Sequence, residues 1–276
     1  TISDVLDFTQ LERGKYTPHF EPLDPWAEIE QVVETVALLA ARQHLYLDLI
    51  VKPGTPARIL GDSRAFRAIA ANLIANALKF TEAGGVCIRL SAPPGPANAP
   101  ASICLQVQDT GCGIPAHQRA AIFAPFEQVD GALNRRYDGT GLGLSIVKSY
   151  CDVLNGHIDV QSVLGQGATF TVMLPFQPTA PDPRTGRVPP STLRKRRALV
   201  VDDRSSFRES VRCRLENLGL TVTEQSGPLT TLNAPSPRDT PYDLLVAQNL
   251  SALPGQTLTE HIECWHHWAQ RMISLE

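Results

Sequence analysis

The chain has 276 residues, of which 43% are hydrophobic and 19% charged, and its formal net charge is −3. These values are ordinary for a globular protein of one to three domains, and they argue against the basic surface of a nucleic-acid-binding protein. No apolar run approaches the roughly 20 residues that span a bilayer, and no signal peptide is visible. The six cysteines are scattered without a C-x-x-C pair, so we expect a reducing cytoplasm and no disulfide framework.

Hydrophobic periodicity and turn residues predict alternating helices and strands over the first 176 residues. The predicted helices cover residues 1–16, 26–43, a segment that Asp62 caps, and 142–156, which Gly156 closes. The predicted strands cover residues 45–51, 57–60, 86–92, 102–108, 157–163 and 167–176. Residues 115–140 are predicted to form a long loop with a short helix inside. Because the chain begins at Thr1 within a predicted helix, we expect it to be a piece of a longer protein.

The stretch NLIANALKFT (72–81) places three polar residues within an apolar helix. A helical residue turns about 100°, so Asn72, Asn76 and Lys79 fall in one narrow sector beside the buried stripe. Asparagine is unfavourable inside helices, because its amide competes for backbone hydrogen bonds. The sector is either a solvated edge of the helix or one wall of a ligand site.

Two glycine-rich motifs follow. In DTGCGIP, Asp109 ends a predicted strand, and Gly111 and Gly113 allow close approach of a ligand to the backbone. An aspartate can accept a hydrogen bond from the amino group of adenine, whereas guanine presents a carbonyl oxygen there. In DGTGLGLS (138–145), Gly139, Gly141 and Gly143 lead into a helix whose free N–H groups suit an anion. Taken alone, DTGCGIP is better explained by a simple glycine turn with an exposed aspartate, and the glycine-rich loop DGTGLGLS is weak evidence. Neither motif is a dinucleotide fingerprint or a P-loop.

Four motifs in this order resemble a known family. NLIANALKFT, DTGCGIP, IFAPFEQVD and DGTGLGLSIVK are similar to the N, G1, F and G2 boxes of sensor histidine kinases. GQGATFTVMLPF resembles that family's closing strand pair, and LDFTQLERGK resembles the end of the second helix of its dimerisation and phosphoacceptor domain. The resemblance covers nearly all of residues 1–176. It implies the two-layer α/β sandwich of the histidine kinase, gyrase B and MutL ATPases.

The resemblance also implies roles for individual residues. Asn76 would ligate Mg²⁺, Asn72 would sit beside the metal, and Lys79 would contact phosphate. Asp109 would bind adenine N6, supported by Gly113 and Thr169. Residues 115–140 would form the lid over ATP, with Phe123 and Phe126 as its hydrophobic anchors. Further residues implied in nucleotide binding are Phe80, Gly111, Phe123, Phe126, Gln128, Arg135, Arg136, Gly139, Thr140, Gly141, Leu142 and Gly143.

The implied reaction is transfer of the ATP γ-phosphoryl group to a histidine. The family's acceptor histidine lies on a helix that would precede Thr1, so we expect none of the seven histidines of this chain to be the target. The implied partners are ATP, the dimerisation and phosphoacceptor domain, and a downstream response regulator or phosphotransfer protein. Neither a nucleic-acid partner nor a membrane segment is expected in this chain, although the full-length protein is compatible with an inner-membrane anchor.

The rest of the chain is predicted to be a second α/β domain. A Pro-rich linker covers residues 177–194, and residues 195–276 resemble the start of a flavodoxin-like response-regulator receiver, shorter than a complete one. Asp202 and Asp203 match the acidic pair that binds Mg²⁺ in receivers. The phosphoacceptor aspartate is replaced by Gln248, whose amide is no nucleophile. The predicted boundaries are therefore 1–18 for the end of the dimerisation helix, 19–176 for the ATP-binding domain, and 195–276 for a receiver that cannot be phosphorylated.

Two other functions compete with this interpretation. The chain could be another gyrase B- or MutL-type ATPase, but LDFTQLERGK before the domain and ALVVDD after it favour a hybrid kinase. It could also be a nucleotide-binding pseudokinase or scaffold. The complete set of Asn72, Asn76, Lys79 and Asp109 disfavours that alternative for the first domain, and Gln248 favours it for the second.

Overall fold

The computed structural model describes residues 2–94, 101–126, 141–179, 193, 196–227, 242–248 and 269–275, and only the main chain of residues 2–4, 178, 248 and 269–275. The chain divides into two compact units, residues 1–182 and 183–276. No helix of the described residues is long and apolar enough to cross a membrane.

The first unit contains four helices and eight strands among its described residues. The helices are α1 (Ile2–Glu12), α2 (Pro25–Arg42), α3 (Ser63–Lys79) and α4 (Gly143–Val153). The strands are β1 (Glu21–Leu23), β2 (Tyr46–Val51), β3 (Ile59–Gly61), β4 (Gly85–Ser91), β5 (Ser102–Asp109), β6 (His157–Val163), β7 (Gly167–Pro175) and β8 (Gln177–Pro178). Two short 3₁₀ turns, Ala116–Gln118 and Ala121–Phe123, lie within the predicted long loop.

A five-stranded sheet in the order β2-β4-β5-β7-β6 forms one layer of this unit. The β2–β4 pair is parallel and the other pairs are antiparallel. Alternate residues of β5 and β7 are buried, and α2, α3 and α4 contact the sheet, so one face of the sheet carries the core. A two-layer α/β sandwich results, which confirms the predicted fold class.

The start of α3 is fixed by a buried carboxylate. Asp62 is 5% exposed, and its Oδ1 accepts a hydrogen bond from Ala65 N at 2.9 Å, which is the predicted N-cap. Its other oxygen accepts from Tyr16 Oη at 2.7 Å and from His19 N at 2.8 Å. Asp62 thereby attaches the segment that follows α1 to the helix that carries NLIANALKFT.

The end of α4 differs from the prediction. The helix stops at Val153, and Asn155, with φ of 54°, takes the left-handed conformation that we assigned to Gly156. Gly156 is needed for another reason, since a Cβ there would lie 2.6 Å from Met173 O of β7. The glycine therefore permits close contact between the chain and the neighbouring strand.

The second unit contains a parallel four-stranded sheet. Its described elements are β9 (Arg197–Val201), α5 (Ser205–Asn217), β10 (Thr221–Gln225), β11 (Tyr242–Gln248) and β12 (Ala269–Leu275). The strand order β10-β9-β11-β12 is the 2-1-3-4 order of a flavodoxin-like sheet, as predicted. Sequence analysis missed β10, because its sequence, TVTEQ, is short and polar and four of its five residues are exposed. The sequence WHHWAQ (265–270) predicts a third helix in this unit, but its last two residues begin β12 and the others lie outside the described residues.

Candidate nucleotide-binding site

The polar sector of α3 faces the start of α4. Asn72, Asn76 and Lys79 are all half-buried, and Asn72 Nδ2 donates to Ala68 O at 2.8 Å. This bond fixes the Asn72 amide, leaving its Oδ1 directed at α4. A Cβ added to Gly143 would lie 2.9 Å from that oxygen and 3.5 Å from Asn76 Nδ2. Two predicted motifs, far apart in sequence, therefore meet at a contact that only glycine allows.

The end of α3 meets the DTGCGIP loop in a second close contact. Cys112 N donates to Phe80 O at 3.3 Å, and a Cβ on Gly111 would lie 2.2 Å from the same oxygen. Gly113 has φ of 71°, and a Cβ there would lie 2.2 Å from Val163 O at the end of β6. Lys79 Nζ lies 4.9 Å from the centre of the Phe80 ring, where a cation–π contact is favourable. The three predicted motifs thus line one region of the unit.

Asp109 is a buried carboxylate at the end of β5, with 6% exposure. Its Oδ1 accepts hydrogen bonds from Gly111 N at 2.8 Å and from Ala168 N at 3.2 Å. No hydrogen bond from the described residues reaches Oδ2. One oxygen is therefore fixed by the backbone, and the other can accept a hydrogen bond from a ligand.

Burial raises the pKa of Asp109 above its ordinary value of 3.8, because the charged form loses water. The backbone N–H groups of Gly111, Ala168 and Asp109 itself lower the pKa and offset part of this shift. A carboxylate held in this way gives up little hydration when it binds a neutral amino group.

The register of the sheet does not support the predicted role of Thr169. Thr169 pairs with Gln108, which is exposed, whereas Asp109 lies on the buried face with Ala168 and Ser162. Side chains alternate between faces along a strand, so Thr169 points away from the Asp109 carboxylate. The residue that supports Asp109 is Ala168, through its backbone N–H. Sequence analysis missed it, because alanine has no polar side chain.

The N-terminus of α4 offers uncapped N–H groups. Gly141 has φ of 69°, and Leu142 holds the N-cap position without a side-chain hydrogen bond to the helix. Leu142 is 1% exposed, so its predicted contact with a nucleotide can involve only its main chain. Free N–H groups at a helix start, together with the helix dipole, attract anions such as phosphate.

The two phenylalanines predicted to anchor the lid differ in their environment. Phe123 is partly buried and packs against the hydrophobic core. Phe126 is 67% exposed, has φ of 63°, and its ring centre lies 6.1 Å from that of Phe8 in α1. Phe126 N donates to Gly141 O at 3.1 Å, which joins the segments on either side of residues 127–140. The predicted contacts of Gln128, Arg135, Arg136, Gly139 and Thr140 lie outside the described residues.

The residues around Asn76 fit a nucleotide-bound Mg²⁺. An amide oxygen is a ligand that this hard cation accepts, and Mg²⁺ in nucleotide sites takes few protein ligands besides phosphate oxygens. The described residues contain no cluster of three or more His, Cys, Asp or Glu side chains that could hold a metal without a nucleotide. The amide oxygen of Asn76, beside the start of α4, is therefore the group that could hold Mg²⁺ arriving with a nucleotide.

The acidic pair of the second unit does not fit Mg²⁺ in the same way. Asp202 is buried, and its Oδ1 accepts a hydrogen bond from Arg204 N at 2.8 Å and lies 3.7 Å from Arg204 Nε. Asp203 is exposed, and Arg208 Nη1 donates to the main-chain oxygens of both aspartates. The Asp202 carboxylate thus serves a local turn and an arginine, so its contacts do not support the predicted metal role.

Comparison with known proteins defines the class to which this site belongs. Residues 61–178 match the family described as histidine kinase-, DNA gyrase B- and HSP90-like ATPase, and this part of the chain is an ATPase domain of that family. Over most of its length the chain is similar to sensor histidine kinases, several of them hybrid kinases, as the sequence motifs predicted.

Three similar proteins illustrate the relationship. Hybrid signal transduction histidine kinase A of Dictyostelium discoideum is 36% identical over 181 residues, which is 63% of this chain and 8% of that protein. Sensor histidine kinase GacS of Pseudomonas protegens is 32% identical over 233 residues, or 84% of this chain and 25% of GacS. The structure of full-length ShkA in complex with AMPPNP has a TM-score of 0.71 and 28% identity, covering 90% of this chain and 48% of ShkA. The chain therefore spans half or less of each of these proteins.

Proposed function

We propose that the first unit binds ATP with Mg²⁺ and transfers the γ-phosphoryl group to a histidine on a dimerisation and phosphoacceptor domain, as part of a hybrid sensor histidine kinase. The observation that carries the proposal is the Asp109 carboxylate, buried and fixed through one oxygen by two backbone N–H groups. Its second oxygen suits the amino group of adenine. The complex of ShkA with AMPPNP supports an adenine nucleotide as the ligand.

The other residues of the site take roles consistent with this reaction. Asn76 would hold Mg²⁺ through its amide oxygen, and Lys79 and the N-terminus of α4 would face the phosphates. Bound Mg²⁺ neutralises charge on the phosphates, and phosphoryl transfer depends mainly on positioning and such neutralisation. Asn72, fixed by its bond to Ala68, would keep Asn76 and the start of α4 at their present separation.

The experiment that tests adenine recognition is calorimetric titration with ATP of the wild-type chain and of Asp109→Asn. The substitution keeps the shape of the side chain but replaces a charged acceptor, so we expect a loss of about 10- to 100-fold in affinity. Asp159→Asn is the matched control, because Asp159 is an exposed aspartate of β6 in the same unit. Equal ATP affinity in Asp109→Asn and wild type would refute the assignment of Asp109.

We further propose that the second unit is a receiver that cannot accept a phosphoryl group. Gln248 ends β11 where the family places its acceptor aspartate, and Asp243 lies near the opposite end of that strand. Asp243 is already engaged, since its carboxylate accepts hydrogen bonds from Arg197 N at 2.8 Å and Arg196 Nη1 at 2.6 Å. Incubation with acetyl phosphate and Mg²⁺ should leave the mass of this chain unchanged, and a hydroxylamine-labile phosphoryl group on the second unit would contradict the proposal.

A further inference from the structure

Ser162 joins the two segments that hold Asp109. Ser162 lies in β6, is 7% exposed, and its Oγ accepts a hydrogen bond from Ile114 N at 2.7 Å. The same hydroxyl donates to Gly167 O at 2.8 Å. Ile114 belongs to the DTGCGIP loop (109–115), and Gly167 is the first residue of β7, so one buried side chain connects the loop to the neighbouring strand.

These two segments provide both hydrogen bonds to the Asp109 carboxylate. Gly111 N belongs to the loop, and Ala168 N directly follows Gly167. A further hydrogen bond connects the loop to the turn before β7 without involving the carboxylate, since Gly165 N donates to Cys112 O at 2.7 Å. Gly167 itself has φ of 88°, and a Cβ there would lie 2.1 Å from Asp109 O. The position of the carboxylate therefore depends on how closely the loop and the start of β7 are held together.

We propose that Ser162 is a positioning residue for recognition of the nucleobase. By holding Ile114 N and Gly167 O, it fixes the separation of the Gly111 and Ala168 donors, and these orient the Asp109 carboxylate toward the amino group of adenine. Ser162 makes no contact with the nucleotide in this account. The inference rests on the proposed function, since it gives Ser162 its role through Asp109.

A selectivity measurement separates this role from a merely structural one. Inosine triphosphate has the phosphates and sugar of ATP, with a carbonyl oxygen in place of the amino group. Loss of orientation at Asp109 weakens ATP binding and leaves inosine triphosphate unaffected. A general loss of stability lowers the folded fraction and affects both nucleotides equally. The ratio of the two dissociation constants is therefore the readout.

The variants are Ser162→Ala and Ser162→Cys, titrated calorimetrically with both nucleotides. Cysteine is larger than serine and a weak hydrogen-bond partner, so Ser162→Cys weakens the connection without leaving a cavity, whereas Ser162→Ala removes it. Thr55→Val is the control, because Thr55 Oγ1 donates to Lys52 O at 2.7 Å in the turn after β2, at the opposite end of the sheet. For both serine variants we expect the preference for ATP to fall about tenfold, the equivalent of one charge-assisted hydrogen bond. Thr55→Val should keep the wild-type ratio.

The possible results distinguish the two claims. A wild-type ratio in both serine variants, with preference for ATP retained, would overturn the role of Ser162 and leave that of Asp109 intact. Equal affinity of the wild-type chain for ATP and inosine triphosphate would overturn both, because Asp109 would then not read the amino group. A reduced ratio in Ser162→Ala and Ser162→Cys but not in Thr55→Val supports the inference.

Discussion

At the scale of single residues, the sequence predicted which polar groups line the candidate site but not how the fold holds them. The position of Asp109 at the end of a strand could be predicted, because an aspartate between an alternating apolar segment and a glycine-rich turn is a distinctive pattern. Its hydrogen bond from Ala168 N could not, because that contact depends on the register of β5 and β7. The same register places Thr169 on the opposite face of the sheet, so the sheet gives no support to its predicted role.

The raised pKa of Asp109 predicts how ATP affinity depends on pH. The ionised carboxylate accepts a hydrogen bond more strongly than the protonated group does, so ATP affinity should decline as pH falls through the raised pKa, above the ordinary value of 3.8. The raised pKa of Asp109 has the opposite effect on the stability of the nucleotide-free fold, which it favours at low pH. Because the folded-state pKa is raised, this contribution is fully present below the unfolded pKa and is lost as pH rises through the folded one.

Calorimetry between about pH 7 and pH 4 measures this dependence, because the raised pKa lies above 3.8. The readout is the ratio of the inosine triphosphate to the ATP dissociation constant, since phosphate protonation affects both nucleotides. We expect this ratio to decrease as the pH is lowered in the wild-type chain and to stay constant in Asp109→Asn. A ratio that changes identically in both proteins would show that another group is responsible.

At the scale of elements, helix and strand types were largely predictable because their hydrophobic periods are clear. The N-cap of α3 followed from Asp62 alone, and the structure confirms it. The end of α4 and the existence of β10 were not predictable, since the first depends on packing against β7 and the second on pairing with β9. The contact between α3 and α4 is likewise tertiary, although the glycine that permits it belongs to a recognisable motif.

Gly143→Ala tests this contact between elements. The new methyl group would meet Asn72 Oδ1 at 2.9 Å and Asn76 Nδ2 at 3.5 Å, so it should push the start of α4 away from α3. Alanine favours a helix by about 1 kcal/mol over glycine, so stability need not fall. We expect a loss of ATP affinity of about tenfold, on the order of 1.4 kcal/mol.

Gly61→Ala is the control for this substitution. Gly61 also has no left-handed φ, and a Cβ there would approach only the Leu23 side chain, with its Cδ2 at 3.1 Å, and that of Ile59. Wild-type ATP affinity in both glycine variants, measured by calorimetry, would show that α3 and α4 do not share the phosphate site.

At the scale of the whole molecule, each of the two units has a fold that the sequence predicted. The sequence predicted an α/β ATPase fold followed by a flavodoxin-like sheet, because ordered motifs and a Pro-rich segment mark both. The contacts of Asp202 and Asp203 could not be predicted, since the sequence alone does not show that Arg204 and Arg208 turn back toward them. The contacts of these two aspartates do not support the Mg²⁺ site predicted for the second unit.

Asp243→Ala tests the independence of the second unit. The carboxylate of Asp243 accepts hydrogen bonds from Arg197 N and Arg196 Nη1, and these lower its pKa. A lowered pKa stabilises the fold above the unfolded pKa, and this contribution is lost as pH falls through the folded one. At pH 7 we expect a loss of about 1 kcal/mol in the free energy of unfolding of the second unit, with ATP affinity unchanged.

Chemical denaturation with and without ATP provides the measurement for Asp243→Ala, because a ligand stabilises only the unit that binds it. Asp203→Ala, an exposed aspartate of the same unit, is its control. A tenfold change in ATP affinity in Asp243→Ala would contradict independent roles for the two units.

The central claim is that the first unit binds ATP with Mg²⁺ through Asn76. The most direct measurement is calorimetric titration with ATP, with and without Mg²⁺, of the wild-type chain, Asn76→Ala, and Asn217→Ala, which alters an asparagine at the end of α5 in the other unit. We predict that Mg²⁺ strengthens ATP binding about tenfold or more in the wild-type chain and in Asn217→Ala. That gain should disappear in Asn76→Ala. If the wild-type chain binds no ATP, or if the gain from Mg²⁺ survives in Asn76→Ala, the account of this site is wrong.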